Sequence, residues 1–432
     1  MERLKCVWAL LLSLMIISAV FNVQITNGQI EHAIIIREDG SIDPPDAPIN
    51  RVSDNYYVLT SNLINSSIRV ERSNIVIDGS GYTVQGTGRQ YSIGIHLVSN
   101  TTNITIKNFV VKGFFDGIQM FESSGNTIIN CTVTENGNSG IRFGARGDAP
   151  PEAQPSNNNV IGNIITNNGH DGIQLYKSTN NYIAQNLVAY NENYGIDLAQ
   201  SSYNVFRNNT LIGNKYNFAV LYSPEFSHFI NDVDKFNTVD GKPIYYLINQ
   251  KDIVIDNLTH PSIGYLALVN STGITVKWLT LQNSGQGILL AYTNNSQIIN
   301  STLTDNECGI KLCHSFSNTI SGNLIKDGHY GSWFEYSTNN VIRNNNFANI
   351  TTAIYLDYSP GNIIRDNIYV NVTTTIYDAT PTTPPTNGQT QPSGLPPWMI
   401  ATAIIFIAAA TLTLLLTLRT KPKLRRKTSR TR

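Results

Sequence analysis

Apolar and polar residues alternate in short runs along most of the chain, and the runs repeat. Residues 172–209 read GIQLYKSTNNYIAQNLVAYNENYGIDLAQSSYNVFRNN, in which the Gly-Ile-x-Leu pattern returns after 23 residues. A hydrophobic period of two predicts β-strands with one face buried and the other exposed. Three such strands within one repeat leave too little chain between them to pair with one another. We therefore expect each strand to pair with its equivalent in the next repeat, which builds a parallel β-helix.

The marker position of this pattern recurs along the chain, mostly at steps of 22 or 23 residues. The markers are Gly94, Gly117, Gly140, Gly172, Gly195, Asn217, Gly241, Gly264, Gly287, Gly309, Gly331 and Ala353. The step after Gly140 is longer because GARGDAPPEAQP is inserted at 144–155, and the repeat at Gly241 fits the pattern least well. The predicted fold class is all-β: a three-sheet solenoid of about twelve coils.

One asparagine of each repeat falls at the bend between the second and third strands. Asparagine tolerates a left-handed backbone, and its amide both donates and accepts hydrogen bonds. We therefore expect the asparagines of successive coils to form a ladder, interrupted at Cys131 and Ser301. The predicted members are Asn108, Asn163, Asn186, Asn209, Asn323, Asn345 and Asn367.

The unit Asn-x-Ile-x-x-Asn followed by Gly-Ile-x-Leu resembles the right-handed parallel β-helix repeat of the pectate-lyase-like fold. It resembles more closely the NosD-like group of carbohydrate-binding and sugar-hydrolase repeats. Residues 34–49 (IIIREDGSIDPPDAPI) and 73–88 (SNIVIDGSGYTVQGTG) look like the N-terminal part of archaeal surface members of that group. The resemblance covers roughly residues 34–372 and implies a single-stranded right-handed helix. It does not imply one activity, because the group includes lyases, hydrolases, epimerases and proteins that are not enzymes.

The two ends of the chain differ in composition from the repeats. The start has a short basic region followed by an apolar run, which is typical of a secretory signal or an N-terminal anchor. Near the end, an uncharged run of 21 residues precedes a basic tail, which predicts a transmembrane helix with a cytoplasmic C-terminus. The predicted segments are 1–28 signal peptide or anchor, 29–92 N-terminal cap and first coils, 93–372 β-helix repeats, 373–397 Thr/Pro-rich stalk, 398–418 transmembrane helix and 419–432 basic tail.

The net charge of zero hides an uneven distribution of charge. The last fourteen residues hold eight Lys or Arg and no acid, and residues 21–418 hold 20 basic and 29 acidic residues. An acidic body argues against a nucleic-acid partner, which needs a basic surface. Eleven Asn-x-Ser/Thr sequons fit a glycosylated surface outside the cell. We expect a single-pass protein of the cell membrane with an extracellular β-helix.

The first strand of each repeat carries the candidate binding residues. The second and fourth residues of Gly-Ile-x-Leu point inward, so the third residue is expected to face solvent. In five successive repeats this outward position, which we call the polar column, holds His96, Gln119, Arg142, Gln174 and Asp197, and Tyr176 lies beside it. Polar groups one strand apart beside aromatic rings suit a polysaccharide, and the insertion at 144–155 would wall the same groove. An ordinary solvated sheet face explains the same pattern.

The polar column also supplies the candidates for catalysis. Glycoside hydrolysis needs two carboxylates, whereas elimination or epimerisation of a uronate needs a base beside a neutralised carboxylate. Arg142 could neutralise the carboxylate, and Asp197 or His96 could take the proton. The stretch Asn193–Asp197 resembles an epimerase Tyr-Gly-Phe-Asp-Pro-His motif, but its histidine is missing here. The sequence therefore favours a binding protein over a lyase or epimerase.

Aromatic residues concentrate in the last repeats. Trp333 and Tyr355 occupy the outward position of the first strand and are candidate sugar contacts. Three residues after this outward position, on the turn that follows the first strand, a corner column is expected to stack across coils; it holds Tyr292, His314, Tyr336 and Tyr358. Stacking leaves His314 unsuited to a metal, so no metal site is predicted from it.

Little else in the repeats indicates a cofactor. Cys131, Cys308 and Cys313 are expected to be free and buried, because the last two are too far apart on one strand to form a disulfide. NosD likeness suggests copper, but Met120 should point inward, so copper is not expected. No cofactor is predicted, although calcium remains possible on an acidic exported solenoid.

The sequence supports three functions. The first is a membrane-anchored surface protein that binds polysaccharide or glycan, or that serves as a structural or adhesive element. The alternative is a polysaccharide lyase or epimerase that uses the outward face of the first sheet. The third is a NosD-like accessory protein in the assembly of a metal centre.

Overall fold

The computed structural model describes residues 32–221 and 223–379. The predicted signal or anchor, most of the stalk, the transmembrane segment and the basic tail lie outside the described residues. In the part that is described, no helix is both long enough and apolar enough to cross a membrane.

The described chain is an all-β, right-handed parallel solenoid of about 15 turns. This is more than the twelve or so turns predicted. The turns at His32–Ile36, Ser66–Val70 and Ile368–Asp378 lack the Gly-Ile marker, so counting markers missed them. No α-helix occurs in residues 32–221 and 223–379; two short 3₁₀ turns lie at Pro151–Ala153 and Phe226–Phe229.

The turns form two stacks, and the first stack spans residues 32–239. Its first sheet consists of His32–Ile36, Ser66–Val70, Ile93–Leu97, Asp116–Phe121, Ile141–Gly144, Ile173–Tyr176, Tyr194–Ala199 and Tyr216–Leu221. The second consists of Tyr56–Leu59, Ile75–Asp78, Ile104–Lys107, Thr127–Ile129, Asn159–Ile161, Tyr182–Ala184, Val205–Arg207 and Asp232–Val233. The third consists of Leu63–Ile64, Thr83–Gln85, Val110–Lys112, Thr132–Thr134, Ile164–Thr166, Leu187–Ala189, Thr210–Ile212 and Thr238–Val239. Ile42–Asp43 and Ile49–Ser53 pair antiparallel with the first coil and cap this end.

The second stack spans residues 242–378. Its first sheet consists of Lys242–Ile248, Tyr265–Val269, Gln286–Ala291, Cys308–Cys313, Leu324–Glu335, Asn346–Asp357 and Ile368–Asp378. The second consists of Val254–Ile255, Thr275–Lys277, Gln297–Ile299, Thr319–Ser321, Val341–Arg343 and Ile363–Arg365. Thr280–Gln282 and Thr302–Thr304 begin the third, which the three long strands of the first sheet continue.

The solenoid breaks at Gly241, where the repeat pattern was weakest. A tight antiparallel pairing of Thr238 with Pro243 and of Val239 with Lys242 reverses the chain there. The next marker was also misplaced by one residue. Leu266 pairs with Ile288, so Tyr265 rather than Gly264 takes the place of Gly287. The single uninterrupted solenoid expected from the repeats is therefore two stacks.

The last turn of the first stack is covered by the outer face of the second stack. In the strand Tyr265–Val269, Leu266 and Leu268 face the core of the second stack, whereas Ala267 packs into the core of the first. The main chain joins the stacks as well: Asn217 donates its N–H to the carbonyl of Asn283 at 2.7 Å. An open end of a solenoid exposes apolar side chains and strand edges, and this contact buries both.

The predicted asparagine ladder is confirmed for most members. The side-chain amide of Asn186 donates to Oδ1 of Asn209 at 2.9 Å, and Asn345 donates to Asn367 at 3.0 Å. Asn108 was placed wrongly, because Phe109 takes the inward position of that coil and Asn108 precedes it. The same shift corrects the reason given for the ladder. The left-handed backbone belongs to the residue before each ladder position, not to the ladder asparagine.

Two further asparagine ladders run along the other corners of the first stack, and the sequence argument missed them. One passes through Asn126, Asn158, Asn181, Asn204 and Asn231, and the other through Asn136, Asn168, Asn191 and Asn214. Each amide satisfies buried main-chain groups of neighbouring coils. The polar residues inside the stack are thus structural.

The contact between the stacks makes one glycine critical. A Cβ added at Gly285 would lie 2.5 Å from the Cβ of Ala219 in the other stack. We expect Gly285→Val to force the stacks apart locally and to destabilise the protein by about 2 kcal/mol. Gly137→Ala is the matched control, because its nearest contact is an ordinary 3.7 Å from the carbonyl of Phe114. Thermal unfolding and proteolysis at residues 222–241 measure the effect, and equal behaviour of both variants would contradict this role of the junction.

Candidate functional site

The five predicted residues of the polar column do stand in one row. Strand register places His96 beside Gln119, Gln119 beside Arg142, Arg142 beside Gln174, and Gln174 beside Asp197. The inward positions of the same strands are buried aliphatic or aromatic side chains, as predicted. The alternation of the sequence therefore located this row correctly.

The row is not uniformly open to solvent, which corrects the expectation for two of its members. Asp197 is 2% exposed and Gln119 is 9% exposed. The next residue in the row, Ala219, lies against Gly285 of the second stack. The end of the row at Asp197 therefore lies at the junction of the stacks, which repeats within the first stack do not reveal.

The neighbours of the polar column hold it in place. Nη1 of Arg142 lies 3.2 Å from Oδ2 of Asp116, whose other oxygen accepts from the amide of Asn138. Gln174 makes the equivalent bond to Asp171 at 3.0 Å. The ion pair of Arg142 therefore links two adjacent coils, whereas the bond of Gln174 lies within its own coil.

The catalytic candidates do not present an open acid–base pair. Burial, and then the nearby Asp171 carboxylate, raise the pKa of Asp197 well above its usual range, so the fold favours the neutral acid. Burial, with a smaller contribution from Arg69, lowers the pKa of His96 to about 4. A carboxyl that is 2% exposed does not touch a polysaccharide lying on the outer face. Asp197 thus lacks the access that catalysis by this row would need, whereas His96 and Arg142 are only half-buried.

A second row, on the first sheet of the second stack, is aromatic and more open. Register places Trp333, Tyr355 and Tyr377 in consecutive strands, and we call them the aromatic column. The centroids of Trp333 and Tyr355 are 5.0 Å apart, and those of Tyr355 and Tyr377 are 5.1 Å apart. Tyr330 packs edge-on at 5.4 Å from Tyr355. Sequence reasoning found Trp333 and Tyr355 but missed Tyr330 and Tyr377.

The aromatic column begins at a buried lysine. Lys311 precedes Trp333 in the row, is 5% exposed, and places Nζ 4.6 Å from the centre of the Trp333 ring and 3.2 Å from Oε2 of Glu335. Burial alone would lower the pKa of Lys311, but facing Cys313 and Glu335 raise it above its usual value. The lysine is therefore charged, and its cation–π contact and ion pair hold one end of the column. Extending the row back from Trp333 would have identified it.

The corner column stacks as predicted. Tyr292 and His314 lie 4.7 Å apart at 16°, His314 and Tyr336 lie 5.1 Å apart at 4°, and Tyr336 and Tyr358 lie 5.1 Å apart at 11°. All three cysteines in the described range are free and buried, as expected. Within that range, no group of three or more His, Cys, Asp or Glu side chains is arranged to hold a metal ion.

Two family models match the chain. One, described as "Right handed beta helix region", matches residues 93–246, and the other, described as "Periplasmic copper-binding protein (NosD)", matches residues 237–382. The boundary between the two matches falls at the break between the stacks. No curated protein matches the chain in sequence.

Solved structures to which the chain is similar include two epimerases and a glucanase. The A-module of the mannuronan C-5 epimerase AlgE6 of Azotobacter vinelandii is 16% identical, over 77% of this chain and 84% of that one, with a TM-score of 0.32. The periplasmic alginate epimerase AlgG, as a double mutant, is 15% identical over 81% and 83%, with a TM-score of 0.37. The α-1,3-glucanase of Streptomyces thermodiastaticus is 12% identical over 82% and 69%, with a TM-score of 0.30. The chain is thus a right-handed parallel β-helix whose first stack is similar to the right-handed β-helix family and whose second stack is similar to the NosD family.

Proposed function

We propose that this protein is anchored in the cell membrane and binds polysaccharide or surface glycan outside the cell through the aromatic column. The observation that carries the proposal is a row of partly exposed rings on the outer face of a rigid sheet. Tyr377 is 50% exposed, and Trp333 and Tyr355 are half-buried. Rings that lie in a row on a surface mark interaction sites, because exposed apolar area is stabilised by a partner that covers it.

A glycan suits such a row better than a compact ligand does. The rings repeat at the strand spacing of the sheet, so they form an extended platform and not an enclosed pocket. One face of a pyranose ring carries C–H groups, and because Tyr355 and Tyr377 stack at 20°, these groups would contact the outward edges of the rings. Successive sugars of a chain can then contact successive rings.

Membrane anchoring rests on the composition of the C-terminal segment. Residues 398–418 are uncharged and long enough to cross a bilayer as a helix, and the basic tail follows directly. The Thr/Pro-rich stretch before it would hold the β-helix away from the surface. We therefore place the β-helix outside and the C-terminus in the cytoplasm.

The polar column is assigned a secondary role in binding. His96, Gln174 and Tyr176 are half-buried and keep some access to a glycan on the first stack. Gln119 and Asp197 lack that access, so we remove them from the proposed contact surface. The lyase or epimerase alternative named Asp197 or His96 as the base, and the burial of Asp197 counts against the first of these two residues.

The match to the NosD family raises the question of a copper site, and the residues of this protein do not fit one. Met120 is buried in the core, and His314 is stacked between two tyrosines. Burial raises the pKa of Cys313 well above its usual range, so the thiolate that binds copper is disfavoured. We derive no metal-centre function from them.

The test is a comparison of two tyrosines. Tyr355→Ala should weaken glycan binding by the full-length protein about tenfold, whereas Tyr182→Ala, which removes an exposed tyrosine from the second sheet, should leave it unchanged. Binding to neutral, acidic and amine-bearing oligosaccharides is measured by calorimetry. Reducing ends and unsaturated products are assayed in the same samples. Unchanged affinity in Tyr355→Ala would refute the aromatic column as the site, and product would establish an enzyme.

A further inference from the structure

Two consecutive coils of the second stack repeat one pairing of side chains. In each coil, an aromatic ring on the outer face is followed two residues later, on the same face, by a carboxylate. Trp333 precedes Glu335 in one coil, and Tyr355 precedes Asp357 in the next. Strand register places Glu335 directly beside Asp357.

The first of these pairs holds a cation of the protein itself. Nζ of Lys311 contacts both the face of Trp333 and the carboxylate of Glu335, at 4.6 Å and 3.2 Å. An ammonium gains both from the ring quadrupole and from the carboxylate. The spacing of ring and acid on this sheet is therefore one that a single ammonium can bridge.

The second pair has no such ion pair. Within residues 32–221 and 223–379, no basic side chain forms an ion pair with Asp357, and the residue that corresponds to Lys311, one coil before this pair, is Trp333. Burial, and then the adjacent Glu335, raise the pKa of Asp357, and the charge of Lys311 offsets part of this rise. Asp357 is thus a half-buried carboxylate beside another carboxylate, near Tyr355, whose ring packs against Trp333 and Tyr377, and near the half-exposed ring of Tyr377.

We infer that Asp357, beside the rings of Tyr355 and Tyr377, binds the ammonium group of an amine-bearing glycan by the same combination of carboxylate and aromatic ring that binds Lys311. This inference rests on the proposed function and narrows it: the ligand is a polysaccharide with free amino groups, such as a de-N-acetylated amino sugar polymer. Tyr377 and Tyr330 would pack against the sugar rings on either side of the ammonium.

The charge of the whole β-helix agrees with a cationic ligand. Residues 21–418 carry 29 acidic and 20 basic residues, so a polyanion is repelled at long range and a polycation is attracted. Lys311 does not offset this for a ligand, because it is buried and paired with Glu335. An acidic polysaccharide would have to place its carboxylates next to Asp357.

The experiment compares two hexasaccharides that differ only in their amino groups. The full-length protein is titrated calorimetrically with the hexamer of glucosamine and with that of N-acetylglucosamine, below the pKa of the sugar amine. We expect the glucosamine hexamer to bind about fivefold more tightly, and Asp357→Asn to abolish that difference while retaining affinity for the acetylated hexamer. Asp46→Asn, an exposed carboxylate at the other end of the molecule, should change neither value.

The outcomes separate this inference from the proposed function. Suppose that both hexamers bind equally, or that an oligouronate binds more tightly, and that Tyr355→Ala weakens this binding. The glycan site would then stand, and recognition of an ammonium group would be refuted. Binding of a lysine-rich peptide through Asp357 without binding of either hexamer would overturn the glycan as the source of the cation. No binding of any sugar would overturn both.

Discussion

Replacing Asn186 with alanine is expected to lower the free energy of unfolding by about 3 kcal/mol. Its amide donates to the carbonyl of Val160 at 2.8 Å, and its Oδ1 accepts from the main-chain N–H of Asn163 at 2.9 Å. Both groups are buried, so alanine would leave a donor and an acceptor without partners inside the stack. The loss exceeds that of one hydrogen bond because two buried main-chain groups lose their partner together.

The matched control is Asn50→Ala, an asparagine exposed on the N-terminal cap, for which we expect a change below about 0.5 kcal/mol. Urea unfolding monitored by circular dichroism gives both values from the shift in midpoint at constant slope. A loss in Asn186→Ala no greater than in Asn50→Ala would mean that the ladder does not support the stack.

Replacing Lys311 with methionine is expected to cost about 3 kcal/mol, since it leaves the Glu335 carboxylate without its ion-pair partner in a site that is largely closed to water. Glu335 keeps 18% side-chain exposure, which holds the loss at the lower end for a buried pair. Methionine retains the length of the side chain and its contact with Trp333, so the effect reports the charge. We expect the double variant with Glu335→Gln to recover at least half of the loss.

The pH dependence of this contribution follows from the raised pKa of Lys311. The folded state holds the proton more tightly than the unfolded chain does, so the stabilisation is complete below the unfolded lysine pKa of about 10.4. The stabilisation is lost only as the pH rises through the higher pKa that Lys311 has in the folded state. The difference in the free energy of unfolding between wild type and Lys311→Met should therefore stay constant from about pH 6 to 9.

If the double variant with Glu335→Gln is as unstable as Lys311→Met alone, packing and not charge is responsible for the loss.

The alternation of apolar and polar residues, together with the repeat length, correctly predicted the features that depend only on contacts between neighbouring coils. The alternation around Ile173 and Leu175 determines which side chains face inward, and the constant repeat length determines which residues become neighbours along the stack. The polar column, the corner column and most of one asparagine ladder follow from these two features. The error at Asn108 arose because asparagine occurs both at the left-handed corner position and at the ladder position that follows it, and in this coil only the corner holds asparagine.

Contacts between residues far apart in sequence decided the rest. The hydroxyl of Tyr194 donates to Glu307 at 2.6 Å across the junction, although 113 positions separate the two residues. No repeat period encodes that contact, because it depends on the reversal at Gly241 and on the angle at which one stack meets the other. The same contact region removes solvent from Asp197.

The sequence by itself determined the coil, its inward and outward faces and the two rows of candidate residues, because each depends on a period of two within strands and on a constant repeat between them. Only the tertiary structure decided which outward residues are available. Docking one stack on the other buried Asp197 and left the aromatic column open, since burial depends on what packs over a face and not on the pattern within it.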